Sequence, residues 1–442
     1  AASRVLMALR NVSVNYSINN ATSLPGFEPT PNRIGNDFSQ DAPGLGYVFG
    51  LRDNILNRAT ENRWLVDSVF QNFTRSEGTN LNIRATIEPI RDLRLDMEWR
   101  EQENRNFNTR IGQDAFGEYE LLSPITSGNY SVSFNSWRTA FASANQQGFT
   151  RFFDQFEANR RIIAERLGGG NPIDTATGYP LGYDSTAQDV LLPAFVAAYT
   201  DQKASEVSLD PFPKVPMPNW RLSYRGLARL DFLEDLVRSV TLNHSYRSSY
   251  NIGQYQTALE PQRNLDSLAP GENLEPELQI RAISITEQFS PLLGIDISWV
   301  NKWTTRIEFK RSRNLNFNID NTTLNKTRSN EFVLGAGYRT NELVLPFRVN
   351  GRQVVLKNDL NFRFDFKLRD NVTSIRRLDE EEGNATSGSQ VLSVQPNLQY
   401  TLSDNLTLTA FYDQQITVPR VANSYETRFT SFGFRLRYVL AP

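Results

Sequence analysis

The chain contains no cysteine and a single histidine, His244. The first absence excludes disulfides, thiolate zinc sites and a thiol nucleophile. It also suits an exported bacterial protein, in which spare thiols risk mispairing. The second removes the parts for most histidine-based metal sites and catalytic sets. Neither charge sign dominates: 47 Lys and Arg stand against 49 Asp and Glu, a formal net charge of -2. That balance lacks the basic footprint of a nucleic-acid binder, so no nucleic-acid partner is expected. Long apolar runs are missing too. The longest, Leu191 to Tyr199, is interrupted by Pro193 and falls far short of the ~18 residues of a spanning helix. Mean hydropathy is -0.46, which taken alone describes a soluble chain. A transmembrane barrel escapes that index, because half of each strand faces water. Ala1 leads directly into a strand-like segment, with neither the charged start nor the apolar core of an export signal. The expectation is a signal already removed, or a chain that is the later part of something longer.

What the chain does have is alternation. Asp359 to Arg369 reads D-L-N-F-R-F-D-F-K-L-R. Leu360, Phe362, Phe364, Phe366 and Leu368 share one face of an extended ribbon, and the polar residues between them share the other. Such a row is expected to face lipid or a core. A run of about eleven residues is the length that a tilted strand needs to cross a bilayer.

The same unit recurs along the chain. Ser3 to Asn20 reads as a strand, followed by a Gly-, Pro- and Asn-rich packed loop over 21–79 with a short helix expected at Arg63 to Phe73. Leu81–Ile87, Leu93–Trp99 and Tyr130–Phe134 carry further alternating rows. From Asn219 the candidate strands are Asn219–Gly226, Val237–Tyr250, Leu278–Phe289, Gly294–Val300, Thr304–Ile319, Ser329–Tyr338, Asn358–Val372, Val391–Leu402, Leu406–Val418 and Arg428–Leu440, with a tight turn at Ser403-Asp404-Asn405 and a long polar loop at Ile375–Ser389. The total is about fourteen. The expected fold is all-β, a transmembrane antiparallel β-barrel wall with a partly helical insert. Its parts are barrel strands over 1–136, the insert over 137–218 and C-terminal barrel strands over 219–442. Short turns and long loops alternate as in single-chain bacterial barrels, except near Phe289 to Thr305, where two short connections follow one another.

In the insert, Thr150 to Leu167 places Phe152, Phe156, Ile163 and Leu167 at helical spacing, with Thr150 as the cap and Gly168 as the stop. That face is either ordinary packing or a docking face for a partner protein. A partly helical insert does not belong within a barrel wall, so it is expected at one rim or folded into the lumen. Trp99, Trp137, Trp220, Tyr246, Tyr250, Trp299, Trp303, Tyr400, Tyr412 and Tyr438 lie near strand ends, as an aromatic girdle would. The plainer alternative is that aromatic residues favour strands.

Motifs that carry chemistry are sparse. His244 lies beside Ser245, Ser248 and Ser249, but a triad requires convergence that a strand neighbour does not supply. Gly168-Gly169-Gly170 lacks the following Lys-Ser/Thr of a phosphate loop. Asp379 to Glu382 is an acidic run without EF-hand spacing, which reads as a solvated loop before it reads as a calcium site. Arg376 and Arg377 beside it form a charge cluster that suits a partner or lipopolysaccharide. No catalytic residue, metal ligand or cofactor is expected, and no enzymatic activity.

Several longer strings carry a resemblance. Tyr183–Thr200 (Y-D-S-T-A-Q-D-V-L-L-P-A-F-V-A-A-Y-T) and Pro211–Leu227 (P-F-P-K-V-P-M-P-N-W-R-L-S-Y-R-G-L) are similar to the C-terminal portion of the SprA (Sov) family. So are His244–Gly253, Phe309–Leu315, Ser329–Gly335 and Thr430–Tyr438. These are the giant outer-membrane translocons of the type 9 secretion system of Bacteroidota. The resemblance covers essentially the whole chain, although the chain is less than half as long as the family's proteins. It implies that these strands are part of a very large barrel, taken to be the ~36-stranded case, which conducts folded proteins across the outer membrane. It also implies partners: the rest of the barrel, a PorV-like barrel at a lateral opening, a plug protein, cargo with a type 9 C-terminal signal, and outer-membrane lipid or lipopolysaccharide. Without the resemblance, the residues equally suit a self-contained ~14-stranded channel for small molecules.

Overall fold

The computed structural model describes residues 8–440 except 52–53, 67–71, 115, 143–149, 259–263, 350–351, 357, 379, 381–382, 404 and 422–423. Its strands are β1 (Leu9–Ser23), β2 (Phe73–Ile90), β3 (Leu93–Gln113), β4 (Tyr119–Ser133), β5 (Asn219–Tyr224), β6 (Val237–Thr257), β7 (Leu278–Trp299), β8 (Trp303–Asn318), β9 (Thr323–Thr340), β10 (Leu343–Val349), β11 (Arg352–Leu356), β12 (Leu360–Arg377), β13 (Asn384–Ser403), β14 (Leu406–Pro419) and β15 (Thr427–Tyr438). Among the described residues five α-helices accompany them: α1 (Leu45–Val48), α2 (Ile55–Glu61), α3 (Trp137–Ala140), α4 (Arg151–Leu167) and α5 (Gln188–Thr200).

Thirteen strands form one sheet in nearly sequential order, every pair antiparallel, and β10 and β11 form a separate hairpin. The expected total of about fourteen is met, but with two adjustments. The candidate strands Leu278–Phe289 and Gly294–Val300 are one strand, β7, whose register shifts between Phe289 and Leu293. A bulge of this kind bends a strand without ending it; the connections after β7 and β8, 300–302 and 319–322, are still both short. The polar loop expected at Ile375–Ser389 is also mostly strand, because β12 runs to Arg377 and β13 starts at Asn384. Ser and Thr suit a strand whose outer end has left the apolar zone.

The largest departure concerns the insert. β4 and β5 each pair antiparallel with β3 and β6, so they run in the same direction within one column of the sheet. Opposite β3, β4 ends at Glu101↔Val132 and β5 resumes at Glu98↔Asn219. The insert is therefore an excursion from the middle of a strand. Met217 N–H closes the gap onto the Ser133 carbonyl at 2.8 Å, and Ser133 Oγ donates to the Met217 carbonyl at 2.6 Å.

The insert packs as a second layer on one face of the sheet. Phe156 of α4 meets Phe195 of α5 at 5.7 Å and Phe317 of β8 at 5.2 Å between ring centroids. Phe152, Phe156 and Ile163 are buried in this core and Leu167 packs at its margin, so the face considered for partner docking is occupied within the chain. Thr150 stands at the N-cap of α4 without a capping hydrogen bond. Helix α5 is buried on nearly all sides. An all-apolar helix has no amphipathic period, which is why its segment reads only as an interrupted greasy run.

A smaller core lies under the 24–72 connection. Ile55, Leu56, Ala59, Trp64 and Leu65 pack on Phe73 and Ile111. The helix there is α2 at Ile55–Glu61; 67–71 of the helix expected at Arg63–Phe73 lie outside the described residues, and β2 begins at Phe73, so the loop is shorter than 21–79.

Burial pushes the Asp189 carboxyl at the start of α5 above the usual carboxylate range, and a hydrogen bond with Gln188 only partly opposes it. An acid raised in the folded state favours folding while protonated. That contribution is lost as pH rises from the unfolded value through the folded one. The amides of α5 should thus exchange faster with rising pH across that window, after correction for intrinsic rates, and Asp189→Asn should flatten the dependence in a hydrogen-exchange series.

Candidate functional site

The functional element is the wall itself, and its two faces divide cleanly by register. Across β8, β9 and β12 the pairing runs without a shift. Trp303, Tyr338 and Phe362 form one row, Ile307, Leu334 and Phe366 another, and Phe309, Phe332 and Leu368 a third. The row continues through Leu392, Val394, Pro396 and Leu398 of β13, and on β15 through Phe432, Phe434 and Leu436. At the other end it takes in Leu95, Met97 and Trp99 of β3, Ile83 to Ile87 of β2, and Val12 and Val14 of β1. This is a belt that crosses the whole sheet beside the short turns. From Leu360 to Leu368 it covers about 26 Å along the strand at ~3.3 Å per residue, which at a tilt of about 40° is roughly 20 Å of height, most of the ~25 Å apolar band of outer-membrane barrels.

At the same height the opposite face is polar and laced with ion pairs. Glu98 takes Arg84 at 2.9 Å, Arg100 at 2.8 Å and Arg247 at 3.6 Å. Glu331 takes Lys310 at 3.5 Å and Arg369 at 3.4 Å, while Arg306 meets Asp296 at 2.8 Å. Each wet pair adds little stability, roughly 0–1 kcal/mol. Collectively they give a surface with charges of both signs.

The aromatic residues sort by height. Trp303 packs on Tyr338 at 5.1 Å and on Phe362 at 6.3 Å near the short turns, where a girdle belongs. Tyr246 and Tyr250 are not girdle residues, since both are buried beneath the insert.

Above the belt, the apolar face acquires a different cover. Glu287 and Arg313 stand opposite each other on β7 and β8 at belt-face positions. Glu287 Oε2 lies 2.9 Å from Arg313 Nη2, with the two side chains only 1% and 6% exposed. Ser136 Oγ donates to Glu287 at 2.8 Å and Tyr246 OH at 2.9 Å. Arg313 donates to the carbonyls of Thr139 and Ser136, at 3.0 and 3.3 Å. This ion pair fixes α3 to the wall. The sequence carries a signal for it: Arg311 and Arg313 follow Phe309 at alternate positions that should be greasy.

The remaining candidates resolve plainly. His244 Nδ1 lies 2.6 Å from the Leu292 carbonyl, and its ring sits beside Trp220 and Phe289. Ser245 donates to the Ser290 carbonyl, and no nucleophile–base contact joins His244 to a serine among the described residues. Arg376 pairs with Asp154 and Glu157 of α4, at 3.5 and 3.6 Å, rather than with an outside partner. Asp379, Glu381 and Glu382 of the acidic run lie outside the described residues, and so does Asp404 of the tight turn.

No family model and no curated protein matches the chain. Seven chains of solved structures match. The chain is similar to the RagAB peptide transporter, at 7% identity and a TM-score of 0.26, over 83% of its own length and 40% of that chain. It is similar to Fiu, the ferric-catecholate import receptor of E. coli K12, at 8% identity and a TM-score of 0.24, over 94% of its length and 56% of that chain. The Salmonella typhi OmpF complex with daunomycin aligns at 8% identity and a TM-score of 0.12, over 91% and 89%. The chain thus spans about half the length of the first two. The fold described above rests on strand register and not on these likenesses.

Replacing Glu287 by Ala should leave a buried guanidinium uncompensated, at a cost of about 3–5 kcal/mol. The paired change Glu287→Leu with Arg313→Met should recover most of it. The readout is the temperature at which the folded band shifts in semi-native electrophoresis.

Proposed function

We infer that this chain forms part of the wall of a large outer-membrane pore that conducts proteins, as its resemblance to the type 9 translocon family implies. The observation that carries the reading is a belted sheet open on both sides. Among the described residues β1 pairs only with β2, and β15 only with β14. Their belt rows stand bare, Val14 at 60% and Phe434 at 77% exposed. In hydrocarbon an open edge leaves N–H and C=O groups without partners, which lipid cannot supply. Both edges therefore call for neighbours. Strands outside this 442-residue sequence meet that demand and widen the lumen beyond what ~14 strands enclose.

The ion-paired face suits the same task. A lumen whose charges are already satisfied by neighbours lets a folded polypeptide pass without adsorbing it. No covalent chemistry is needed. The remainder of the barrel, a PorV-like barrel, a plug protein and type 9 cargo are the partners this reading carries, in the outer membrane of a Bacteroidota-type cell.

With no native cysteine, Val14→Cys and Phe434→Cys can each be labelled with a thiol-reactive photo-cross-linker that inserts into any neighbouring chain in intact membranes, while a short bis-thiol reagent on the double variant reports a direct Val14–Phe434 link. The expected products join each edge to strands outside this sequence. An efficient Val14–Phe434 link would instead make the chain a self-contained channel for small solutes and remove the translocon reading.

A further inference from the structure

Just above the belt, the outward face of β8 and β9 holds more cations than its carboxylates pair. One row beyond Phe309 and Phe332 come Arg311 and Asn330, and in the next row Arg313 and Arg328 stand directly opposite each other. Like charges in that position repel. Arg313 is committed to Glu287. Arg311 donates to the Ala140 carbonyl at 2.6 Å and lies 5.0 Å over the Phe141 ring. Arg328 is half-buried and makes no hydrogen bond or ion pair with any described residue. The nearby acids on this face are taken: Asp370 by Arg420 at 3.0 Å, and Asp154 and Glu157 by Arg376. A half-buried guanidinium without an acceptor is a fork waiting for one.

The height of this fork says what fills it. Phe309 and Phe332, inside the belt, lie one row below Arg311 and two rows below Arg328. Phe141 packs on Phe289 at 5.1 Å, and Phe289 is in register with Arg311. Phe141 and Trp137 of the same segment are 48% and 45% exposed, as aromatic side chains are at the boundary of hydrocarbon and headgroup. The fork thus stands at headgroup level, on the side of the long loops, which in bacterial barrels is the outer leaflet.

We propose that Arg328, with Arg311 beside it, seats the phosphate of an anionic glycolipid of the outer leaflet, whose acyl chains run down over Phe309 and Phe332. A guanidinium fork matches phosphate geometry in two hydrogen bonds. The proposal rests on the membrane reading of the belt.

The test loads the protein into phosphatidylethanolamine vesicles with and without bisphosphorylated lipid A and counts retained lipid by native mass spectrometry, with vesicle flotation as a separate readout. Wild type should retain lipid A over phosphatidylethanolamine. Arg328→Gln should reduce retention about fivefold, Arg328→Lys, which keeps the charge but not the fork, should fall between the two, and Arg369→Gln on the opposite face should change nothing. Unchanged retention in Arg328→Gln overturns the proposal. So does equal occupancy by inorganic phosphate with no preference for the lipid, which would make this a free-phosphate site. Flotation with no lipid A retained defeats the seat alone, whereas wild-type protein that fails to float defeats the membrane reading as well.

Discussion

A strand offers its side chains to two sides in strict alternation, and in this wall the two sides meet different solvents. Everything else depends on holding that register. A slip of one residue would turn Phe362, Phe364 and Phe366 into the ion-paired face and send Arg363, Asp365 and Lys367 into the belt. The unbroken ladders from β8 through β9 to β12 fix the rows against such a slip. Where register does shift, as at Phe289 to Leu293 in β7, the strand bulges and regains its phase, so that Leu293, Ile295 and Ile297 rejoin the belt.

One parity serves two covers. Beside the short turns the outward rows are bare and greasy. Further along the same strands, Leu315, Phe317, Ile283 and Ile285 carry the same parity but lie under α4 and α5. Between the two zones sits Glu287–Arg313, an ion pair that no lipid could accommodate and that α3 closes over. Its buried, hydrogen-bonded geometry specifies where the insert sits more than it adds stability. Because the insert leaves and rejoins the sheet within a single column, its anchoring and the pairing of β4 and β5 are mechanically one unit.

How much of this could be read beforehand follows from the same physics. The long alternating rows of β3, β8, β12 and β14 were legible because each face repeats every second residue for the height of the belt. Beyond the belt, polar residues occupy both faces, the period fades, and the ends of β12 and β13 passed for loop. The interruption of β4 by the insert was invisible, since collinearity of β4 and β5 depends on their shared partners β3 and β6. The burial of α5 was hidden by its own uniformity, and that of Phe152, Phe156 and Ile163 by the impossibility of telling an internal partner from an external one. The buried ion pair left a trace in Arg311 and Arg313, which break the greasy alternation where the cover changes.

The central claim is that lipid contacts one face of these strands at belt height and water the other. Single spin labels placed in turn from Leu360 to Arg369, in a chain otherwise free of cysteine, measure it through collision with oxygen and with a water-soluble nickel complex. The account predicts a period of two, with oxygen favoured at Phe362, Phe364 and Phe366 and nickel at Arg363, Asp365 and Lys367. Equal access of the nickel complex to both sets, in protein reconstituted into bilayers, would contradict it.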